Sequence, residues 1–406
     1  MKEDKSKKIS IKRAEELENS IAKYTEMKSK ILTGYDIYET RMKIKTKILK
    51  LYNASNEDWN SWEWQLRNSI NTVDELNKII DLTMEDIEVI DKVGKNFRWS
   101  ITPYYVSLIS VDDKECPIRL QALPSILELD ESGKADPMAE EFTSPVDGIT
   151  RRYPDRLIIN VTNSCGMYCR HCQRRRNIGT TDVVRSKESL QECIDYIRKN
   201  SEIRDVLLTG GDALCVSDDY LEWLLSKLRE IPSVEIIRIG SRTPVVMPQR
   251  ITKSLCKMLA KYAPIYLNTH FNSPREVSEE SKRACELLSN HGIILGNQSV
   301  LLHKINDNEM ILKKLNQELL KIRVRPYYIF HPKDVIGTRH FNVSIKKGIE
   351  IMSKLRGKTS GLAIPTYIVN APYGMGKIPL QKETILNLSD DSATLITWEG
   401  KEVVIK

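Results

Sequence analysis

The stretch RLIINVTNSCGMYCRHCQRRR, residues 156–176, joins a β-rich run to a loop that holds three cysteines. Cys165, Cys169 and Cys172 have the spacing C-x3-C-x2-C. Thiolates suit zinc or iron-sulfur clusters, and three cysteines leave either kind of site one ligand short. His171 lies between two of the cysteines, where closing a tetrahedron around zinc is strained. The stretch therefore favours a four-iron, four-sulfur (4Fe-4S) cluster with one iron open to an exogenous molecule.

Further β-rich runs follow this first one, and helical patterns lie between them. The runs are DVLLTGGD, EIIRIGSR, PIYLNTH, IILGNQSV and RVRPYYIF, all between residues 205 and 330. Leucines at positions 221, 224, 225 and 228 predict one buried helix face, and SPRE at 273–276 predicts the start of another helix. Strand-helix units in succession predict an α/β fold with parallel strands, here an open, partial (β/α)6 barrel of the TIM type.

Polar residues end most of these β-rich runs. In parallel β/α proteins the active site lies at the carboxyl ends of the strands, so these residues are candidates for ligand binding. Gly210 and Gly211 permit close approach of another backbone, and Asp212 offers a carboxylate to a positively charged amine.

The pattern divides the chain into four regions. Residues 1–128 are rich in Lys and Glu with helical periodicity, and Trp59, Trp62 and Leu66 fit a buried helical stripe. Residues 129–150, acidic and containing Gly and Pro, predict a linker or an ordered loop across a domain surface. The barrel is expected at 151–345. A C-terminal segment, 346–406, carries the glycine-containing loop NAPYGMGK.

Composition argues against several classes of protein. The chain has 406 residues and a net charge of +7, with lysines and glutamates interleaved, which indicates a solvated surface rather than a nucleic-acid interface. It has no apolar run long enough to span a bilayer and no signal-peptide pattern at the start, so we expect no membrane partner and a cytoplasmic location. Eight cysteines in such a chain indicate thiols or metal ligands rather than disulfides. Ordinary core or surface positions are expected for the singly placed ones, Cys116, Cys193, Cys215, Cys256 and Cys285.

The cysteine spacing, in a loop after the first strand of a β/α barrel, resembles the radical S-adenosylmethionine superfamily. In that superfamily the amino and carboxylate groups of S-adenosylmethionine bind the open iron of the 4Fe-4S cluster. The resemblance implies that Cys165, Cys169 and Cys172 bind the cluster. Contacts to S-adenosylmethionine are then expected from Gly210, Gly211, Asp212, Ser241, His270 and Gln298.

A narrower resemblance, to the lysine 2,3-aminomutase family, runs in order from about residue 55 to residue 380. It is carried by the cysteine stretch and by LLTGGDAL, RIGSRTPVVMPQRI, NTHFN, LGNQSVLL, IRVRPYYIF and APYGMGK. Enzymes of this family are isomerases, specifically intramolecular aminotransferases, that move an amino group between C2 and C3 of an amino acid. They use the cluster, S-adenosylmethionine and pyridoxal phosphate, and a 5′-deoxyadenosyl radical removes hydrogen from C3.

The resemblance assigns a pyridoxal phosphate site. Lys377 matches the catalytic lysine that binds the cofactor, and its glycine-containing loop suits a residue that forms a Schiff base. Arg152 and Arg156 match the positions that bind the phosphate, and Tyr153 matches an aromatic residue beside the ring. The resemblance also implies a low-potential electron donor such as flavodoxin or ferredoxin, and a homo-oligomer.

Two departures from the family pattern refine this expectation, and the first concerns zinc. Lysine-acting relatives carry a zinc site made from a cysteine after GNQSVLL and a cysteine-rich tail. Here Asn308 occupies the first position, and the tail WEGKEVVIK contains no cysteine. We therefore expect no zinc, and tail-mediated assembly is in doubt.

The second departure concerns the substrate. Lysine-acting relatives bind the substrate ε-ammonium with two aspartates, and at those positions this chain has Lys333 and Asn370. A cation and an amide favour a substrate carboxylate over an ammonium. Asp334 restores an anion if the loop shifts by one residue. The pattern resembles that of the family's glutamate-acting members, with Arg174 matching the arginine that binds the α-carboxylate.

Three alternatives stay open from the sequence. An aminomutase for lysine or aspartate shares every cofactor and differs only in substrate. A radical enzyme that modifies RNA or protein needs a broad basic or peptide-binding groove. A non-enzymatic cluster scaffold or sensor requires that Lys377 be incidental.

Overall fold

Parallel strands joined by helices form the centre of the molecule, as the alternating pattern predicts. The structure is a computed structural model that describes residues 2–405 of the chain. Its larger sheet has nine strands in chain order: β1 (Ile149–Thr150), β2 (Arg156–Thr162), β3 (Asp205–Gly210), β4 (Ile236–Gly240), β5 (Ile265–Thr269), β6 (Ile294–Val300), β7 (Arg325–Phe330), β8 (Thr366–Asn370) and β9 (Lys377–Pro379).

The strands β2 to β8 are parallel, whereas β1 and β9 pair antiparallel at the two edges. Within the described chain β1 and β9 are not paired with each other, so the barrel is open, as predicted. The predicted runs correspond to β2 through β7. The structure adds a seventh parallel strand, β8, which the strand-helix rhythm missed because a Pro- and Gly-containing turn follows it instead of a helix.

Helices of the N-terminal region precede the sheet. They are α1 (Lys2–Met27), α2 (Tyr38–Leu51), α3 (Asn56–Asn60), α4 (Trp62–Arg67), α5 (Val73–Ile79), α6 (Met84–Gly94), α7 (Pro103–Val106) and α8 (Pro117–Ala122). The helices of the barrel and the segment after it are α9 (Lys187–Lys199), α10 (Asp218–Arg229), α11 (Thr243–Val246), α12 (Lys253–Ala260), α13 (Glu279–Asn290), α14 (Glu309–Lys321) and α15 (Ile345–Leu355).

Short 3₁₀ turns connect several of these elements. They are Ile126–Leu129, Glu140–Thr143, Arg175–Asn177, Pro248–Arg250, Pro274–Glu276, Arg339–Phe341, Gly361–Ala363 and Pro372–Gly374. None of the helices in the described chain combines the length and apolarity needed to cross a bilayer.

The predicted leucine face is confirmed, whereas the helix predicted to start at SPRE is not continuous with that turn. The four leucines of α10 are fully buried, and Ser217 caps the helix by accepting from the backbone N–H of Tyr220 at 3.3 Å. SPRE forms the predicted capping box, but it caps only the 3₁₀ turn Pro274–Glu276, and α13 begins later with its own N-cap, Ser278. The helix does not continue from the turn because Val277 and Ser278 have extended backbone conformations.

One hydrophobic core crosses the predicted boundary at residue 128. It contains side chains from the N-terminal helices, including Ile48 and Trp59, together with those of the barrel strands. The tryptophan stripe is broken at Ser61, which separates α3 from α4, so Trp59 is buried while Trp62 and Leu66 are only partly buried. The singly placed cysteines are all buried thiols, as an ordinary core position requires.

The segment 129–150 is an ordered loop in the structure. The backbone N–H of Lys134 donates to the Asp334 carbonyl oxygen at 2.9 Å, and the Ile336 N–H donates to the Lys134 carbonyl oxygen at 3.2 Å. The loop therefore lies against the segment that follows β7.

The C-terminal end forms a separate antiparallel sheet of β10 (Ile385–Leu388), β11 (Ala393–Ile396) and β12 (Glu402–Ile405). Asn308, which stands at the position of a zinc-binding cysteine in lysine-acting relatives, is the N-cap of α14. Its side-chain oxygen accepts from the backbone N–H of Met310 at 2.8 Å.

Candidate active site

The residues predicted for the site line a single cavity of about 380 Å³ that follows the inner face of the sheet. They are Cys165, Cys169, Cys172, Arg152, Tyr153, Arg156, Lys377, Gly210, Gly211, Asp212, Ser241, His270, Gln298, Arg174, Lys333 and Asn370. The structure thus brings together residues that are more than two hundred positions apart in the chain.

The cysteine loop begins where β2 ends, and it is held by the N-terminal region. The backbone N–H of Tyr168 donates to the Ser100 carbonyl oxygen at 3.0 Å, and that of Arg170 donates to the Gln121 carbonyl oxygen at 2.9 Å. The Arg170 side chain donates to both carboxylate oxygens of the fully buried Glu128, at 2.9 and 2.6 Å. Burial alone would raise the pKa of Glu128, but Arg170 and Arg175 outweigh it and hold the pKa below its ordinary value.

The end of β3 also positions the cysteine loop. The Gly211 N–H donates to the Thr162 carbonyl oxygen at 2.5 Å, and the Asp212 N–H donates to the Ser164 carbonyl oxygen at 2.8 Å. A Cβ atom at Gly210 would overlap the Thr162 carbonyl oxygen, and one at Gly211 would overlap that of Ser164. Both glycines are therefore required for the close approach of these two backbones.

The Asp212 carboxylate is buried and held by hydrogen bonds. One of its oxygens accepts from the backbone N–H groups of Arg242 and Thr243 at 2.7 and 3.0 Å, and the other accepts from the Leu214 N–H at 3.0 Å. Burial raises the pKa of Asp212, while these hydrogen bonds and one from Ser241 oppose the rise. The bonds fix the direction in which the carboxylate meets the cavity.

The three cysteines of the loop line the same cavity. Three thiols in one cavity suit an iron-sulfur cluster in which each cysteine binds a different iron. Next to them lies His270, whose buried Nε2 has no hydrogen-bond partner among the described residues.

The residues predicted for pyridoxal phosphate surround the Tyr153 ring. The Arg156 guanidinium carbon lies 3.9 Å from the ring centroid, and Lys377 Nζ lies 5.3 Å from it. Arg152 has a buried Nε without a hydrogen-bond partner, which is a free donor for an anion. In the sheet, Lys377 of β9 pairs with Asn370 of β8, so the register brings these two predicted residues side by side.

The ammonium group of Lys377 lies among positive charges. Burial of the group lowers the pKa of Lys377 to about 8, and the neighbouring guanidiniums of Arg156, Arg238 and Arg152 act in the same direction. A lowered pKa provides a larger fraction of neutral amine, the form that can attack an aldehyde. These residues therefore fit a phosphate-bearing aldehyde cofactor.

The predicted substrate residues Arg174 and Lys333 share one carboxylate neighbour, Glu140 of the ordered loop. Arg174 donates to Glu140 through Nη2 at 2.9 Å and Nε at 3.2 Å. Burial lowers the pKa of Lys333 to about 8, a shift that Glu140 opposes and that Arg152 and Arg174 reinforce. Asp334, the alternative anion, is half exposed and pairs with Arg339 at 2.8 Å, so it does not line the cavity.

Sequence reasoning missed Glu140 as a member of the site. Its carboxylate accepts from Arg152 and Arg176 as well as from Arg174. Burial would raise the pKa of Glu140, but Arg174, Arg152 and Lys333 lower it to about 2. No local spacing indicates this role, since the acidic pair Glu140 and Glu141 resembles any polar loop.

Arg238 and Arg242 also line the cavity and were not predicted. Arg238 donates to Asp205 at 2.7 Å from the middle of β4. A usable signal existed for both, because an arginine within or directly after a buried strand has to meet a charge or a ligand.

Comparison with known proteins gives two matching families and a set of close relatives. Residues 159–315 match the radical SAM superfamily, and residues 352–405 match the lysine-2,3-aminomutase family. The chain is 57% identical to glutamate 2,3-aminomutase of Clostridioides difficile strain 630, over 98% of this chain and 94% of the relative. It is 52% identical to L-lysine 2,3-aminomutase of Clostridium subterminale over 86% of this chain and 84% of the relative. It is 49% identical to L-lysine 2,3-aminomutase of Bacillus subtilis strain 168, over 86% of this chain and 74% of the relative.

Replacing Gly211 with Ala should displace the cysteine loop, because the new Cβ overlaps the Ser164 carbonyl oxygen. We expect a lower midpoint of thermal unfolding and less bound iron after anaerobic reconstitution. Gly361→Ala is the matched control, since nothing lies within 4 Å of its Cβ position. Equal unfolding midpoints and equal iron in both variants would contradict the close-approach role of Gly211.

Proposed function

Because the chain belongs to the lysine 2,3-aminomutase family of the radical S-adenosylmethionine superfamily, we propose that it is a 2,3-aminomutase that interconverts L-glutamate and β-glutamate. The relative named glutamate 2,3-aminomutase, with which it shares 57% of residues over almost its whole length, supports this substrate.

One structural observation carries the proposal: two cations, Arg174 and Lys333, line the same cavity as Lys377. A dicarboxylic amino acid has a carboxylate for each of the two cations. Lysine would bring its ε-ammonium toward Lys333, a like charge in a partly buried site, which is unfavourable. Asn370 adds an amide donor beside the cofactor lysine rather than a second anion.

The cofactors of the proposal are a 4Fe-4S cluster, S-adenosylmethionine and pyridoxal phosphate. When bound, they supply a carbon-centred radical by one-electron chemistry and a conjugated imine through which nitrogen can migrate. Cys165, Cys169 and Cys172 would hold the cluster, and the polar strand ends from Gly210 to Gln298 would contact S-adenosylmethionine. Arg152, Arg156 and Tyr153 would hold pyridoxal phosphate through its phosphate and ring.

The protein's own side chains bind the cofactor and orient the substrate. Lys377 Nζ, in its neutral form, would bond the aldehyde of the cofactor, and the lysine amine would be freed when an amino-acid nitrogen takes its place. Arg174 fixes the α-carboxylate and Lys333 fixes the remote carboxylate, so C3 has a defined direction in the cavity. The ordered loop 129–150 lies against the segment after β7 and brings Glu140 into contact with Arg174.

We also propose where the enzyme is located, what reduces its cluster and how it assembles. We propose a cytoplasmic location, reduction by a low-potential carrier of the flavodoxin or ferredoxin type, and a homo-oligomeric assembly. No zinc requirement is proposed, because Asn308 stands where the resemblance places a cysteine ligand and the tail WEGKEVVIK contains no cysteine. Nucleic acid is not a proposed partner.

Replacing any of Cys165, Cys169 or Cys172 with Ala should abolish iron binding and turnover. Cys256→Ala and Cys116→Ala should retain the iron of the native protein, since both thiols are buried in the core away from the cavity. Iron analysis after anaerobic reconstitution makes the comparison. An equal loss of iron from Cys256→Ala and Cys116→Ala would refute the assignment of the cluster to this loop.

Incorporation of pyridoxal phosphate should accelerate as pH rises through about 8 and level off above it, because the neutral amine of Lys377 is the reacting form. At pH 7 a pKa of about 8 leaves roughly a tenth of the amine neutral, against less than a thousandth for an ordinary lysine. Borohydride reduction followed by peptide mass spectrometry locates the cofactor. Lys377→Arg should lose the labelled peptide and Lys382→Arg should keep it; labelling that survives in Lys377→Arg would refute the assignment.

Lys333→Ala should reduce kcat/KM for glutamate by about a hundredfold to a few thousandfold, because it leaves a substrate carboxylate unpaired at a cost of about 3 to 5 kcal/mol. Bound iron and bound pyridoxal phosphate should not change. Asp334→Asn is the matched control and should retain native turnover, since Asp334 pairs with Arg339 outside the cavity. Anaerobic assays with glutamate, lysine and aspartate as separate substrates provide the values; undiminished glutamate turnover in Lys333→Ala would move the role to another cation.

A further inference from the structure

A buried arginine contacts one of the three cysteines of the loop. Arg242, which follows β4 directly, donates from Nη1 to the Sγ atom of Cys169 at 2.7 Å. Its side chain is only 9% exposed. Among the hydrogen bonds of the described residues, this is the one in which a charged side chain donates to a cysteine of the C-x3-C-x2-C loop.

The other two nitrogens of the Arg242 guanidinium also donate hydrogen bonds, which hold the group beside the thiol. Nε donates to the His270 carbonyl oxygen at 3.1 Å, and Nη2 donates to Gln121 Oε1 at 2.6 Å and to Glu276 Oε1 at 2.7 Å. Burial would lower the pKa of Arg242, but Cys169, Tyr105 and Glu276 outweigh it and hold the pKa above its ordinary value. Arg242 is therefore a fixed positive charge.

Glu276, the ion-pair partner of Arg242, is also held in place by hydrogen bonds. It is fully buried, and its carboxylate accepts from the Tyr105 hydroxyl at 2.6 Å and from the backbone N–H groups of Asn272 and Ser273 at 2.5 and 2.9 Å. It is also the capping-box residue of the turn Pro274–Glu276. The fold thus places a compensating negative charge on the side of Arg242 away from Cys169.

We propose that Arg242 is a positioning residue that sets the reduction potential of the cluster by donating its Nη1–H to Cys169 Sγ, and that Glu276 moderates this effect. In the relevant step a low-potential one-electron carrier is oxidised and the cluster is reduced by one electron, with no bond formed or broken. The reduced form bears one more negative charge. Hydrogen bonds to cluster sulfurs and nearby net charge are known determinants of such potentials.

The direction of each effect follows from charge. Arg242 stabilises the reduced form, so removing its charge and N–H donors should make the potential more negative. Removing the Glu276 charge leaves Arg242 less compensated, so the potential should become more positive. A purely structural disturbance has no reason to shift the potential in opposite directions for two residues of one ion pair.

The chain offers a matched control in Arg41. This arginine is also buried and also pairs with a glutamate, Glu280, at 2.6 Å. It contacts none of the loop cysteines in the described structure. Loss of Arg41 removes a comparable buried ion pair from the same protein without removing a bond to a cysteine thiol.

The experiment measures the cluster potential in the reconstituted full-length protein. Native protein, Arg242→Met, Arg242→Lys, Glu276→Gln and Arg41→Met are reconstituted anaerobically and assayed for iron. Each is then titrated with dithionite in the presence of redox mediators while the reduced cluster is counted by electron paramagnetic resonance. S-adenosylmethionine is left out, so no turnover contributes to the signal.

We expect a more negative midpoint for Arg242→Met, an intermediate one for Arg242→Lys, a more positive one for Glu276→Gln and the native value for Arg41→Met. An unchanged midpoint in Arg242→Met with native iron content would overturn the inference. If Arg242→Met fails to hold iron, Glu276→Gln decides: a positive shift supports the inference, and a native or negative midpoint overturns it. The inference rests on the cluster of the proposed function. If native protein binds no iron, the proposed cluster is wrong, and this result is distinct from an unchanged midpoint potential.

Discussion

The cavity concentrates positive charge, and the rest of the site depends on how that charge is held in place. Arg152, Arg156, Arg174, Lys333 and Lys377 all line it, and like charges at such separations repel unless anions stand between them. Burial lowers the pKa of both lysines to about 8, and the neighbouring guanidiniums act in the same direction. The charge of such a site favours phosphates and carboxylates over a substrate ammonium.

Three buried glutamates provide the balancing charges, and each comes from outside the parallel strands. Glu128, at the end of the N-terminal region, binds two arginines of the cysteine loop. Glu140, in the loop 129–150, binds arginines assigned to two different ligands. Glu276 binds Arg242, which in turn donates to Cys169 of the cysteine loop. Removing any of these glutamates would leave buried cations unpaired.

Sequence alone predicts the parts of this arrangement that follow local rules. The period of the β-rich runs identifies β2 through β7, and the strand-end rule brings Asp212, Ser241 and His270 to one cavity. The failures have different causes. The SPRE turn ends at the extended residue Val277, and α13 begins after its own N-cap, Ser278. A turn rather than a helix follows β8, and Glu140 meets its arginines only once the loop has folded. The resemblance to a family adds S-adenosylmethionine, pyridoxal phosphate and the substrate position, which composition and spacing do not contain.

The most direct test of the account follows the nitrogen atom itself. L-glutamate labelled with nitrogen-15 at the amino group and carbon-13 at C3 is incubated anaerobically with reconstituted enzyme, S-adenosylmethionine, pyridoxal phosphate and dithionite, and the products are followed by NMR. The account predicts a new one-bond coupling between the nitrogen and C3 in a product with the spectrum of 3-aminoglutarate. Labelled glutamate that stays unchanged while L-lysine is converted to its β-isomer by the same preparation would contradict the central claim.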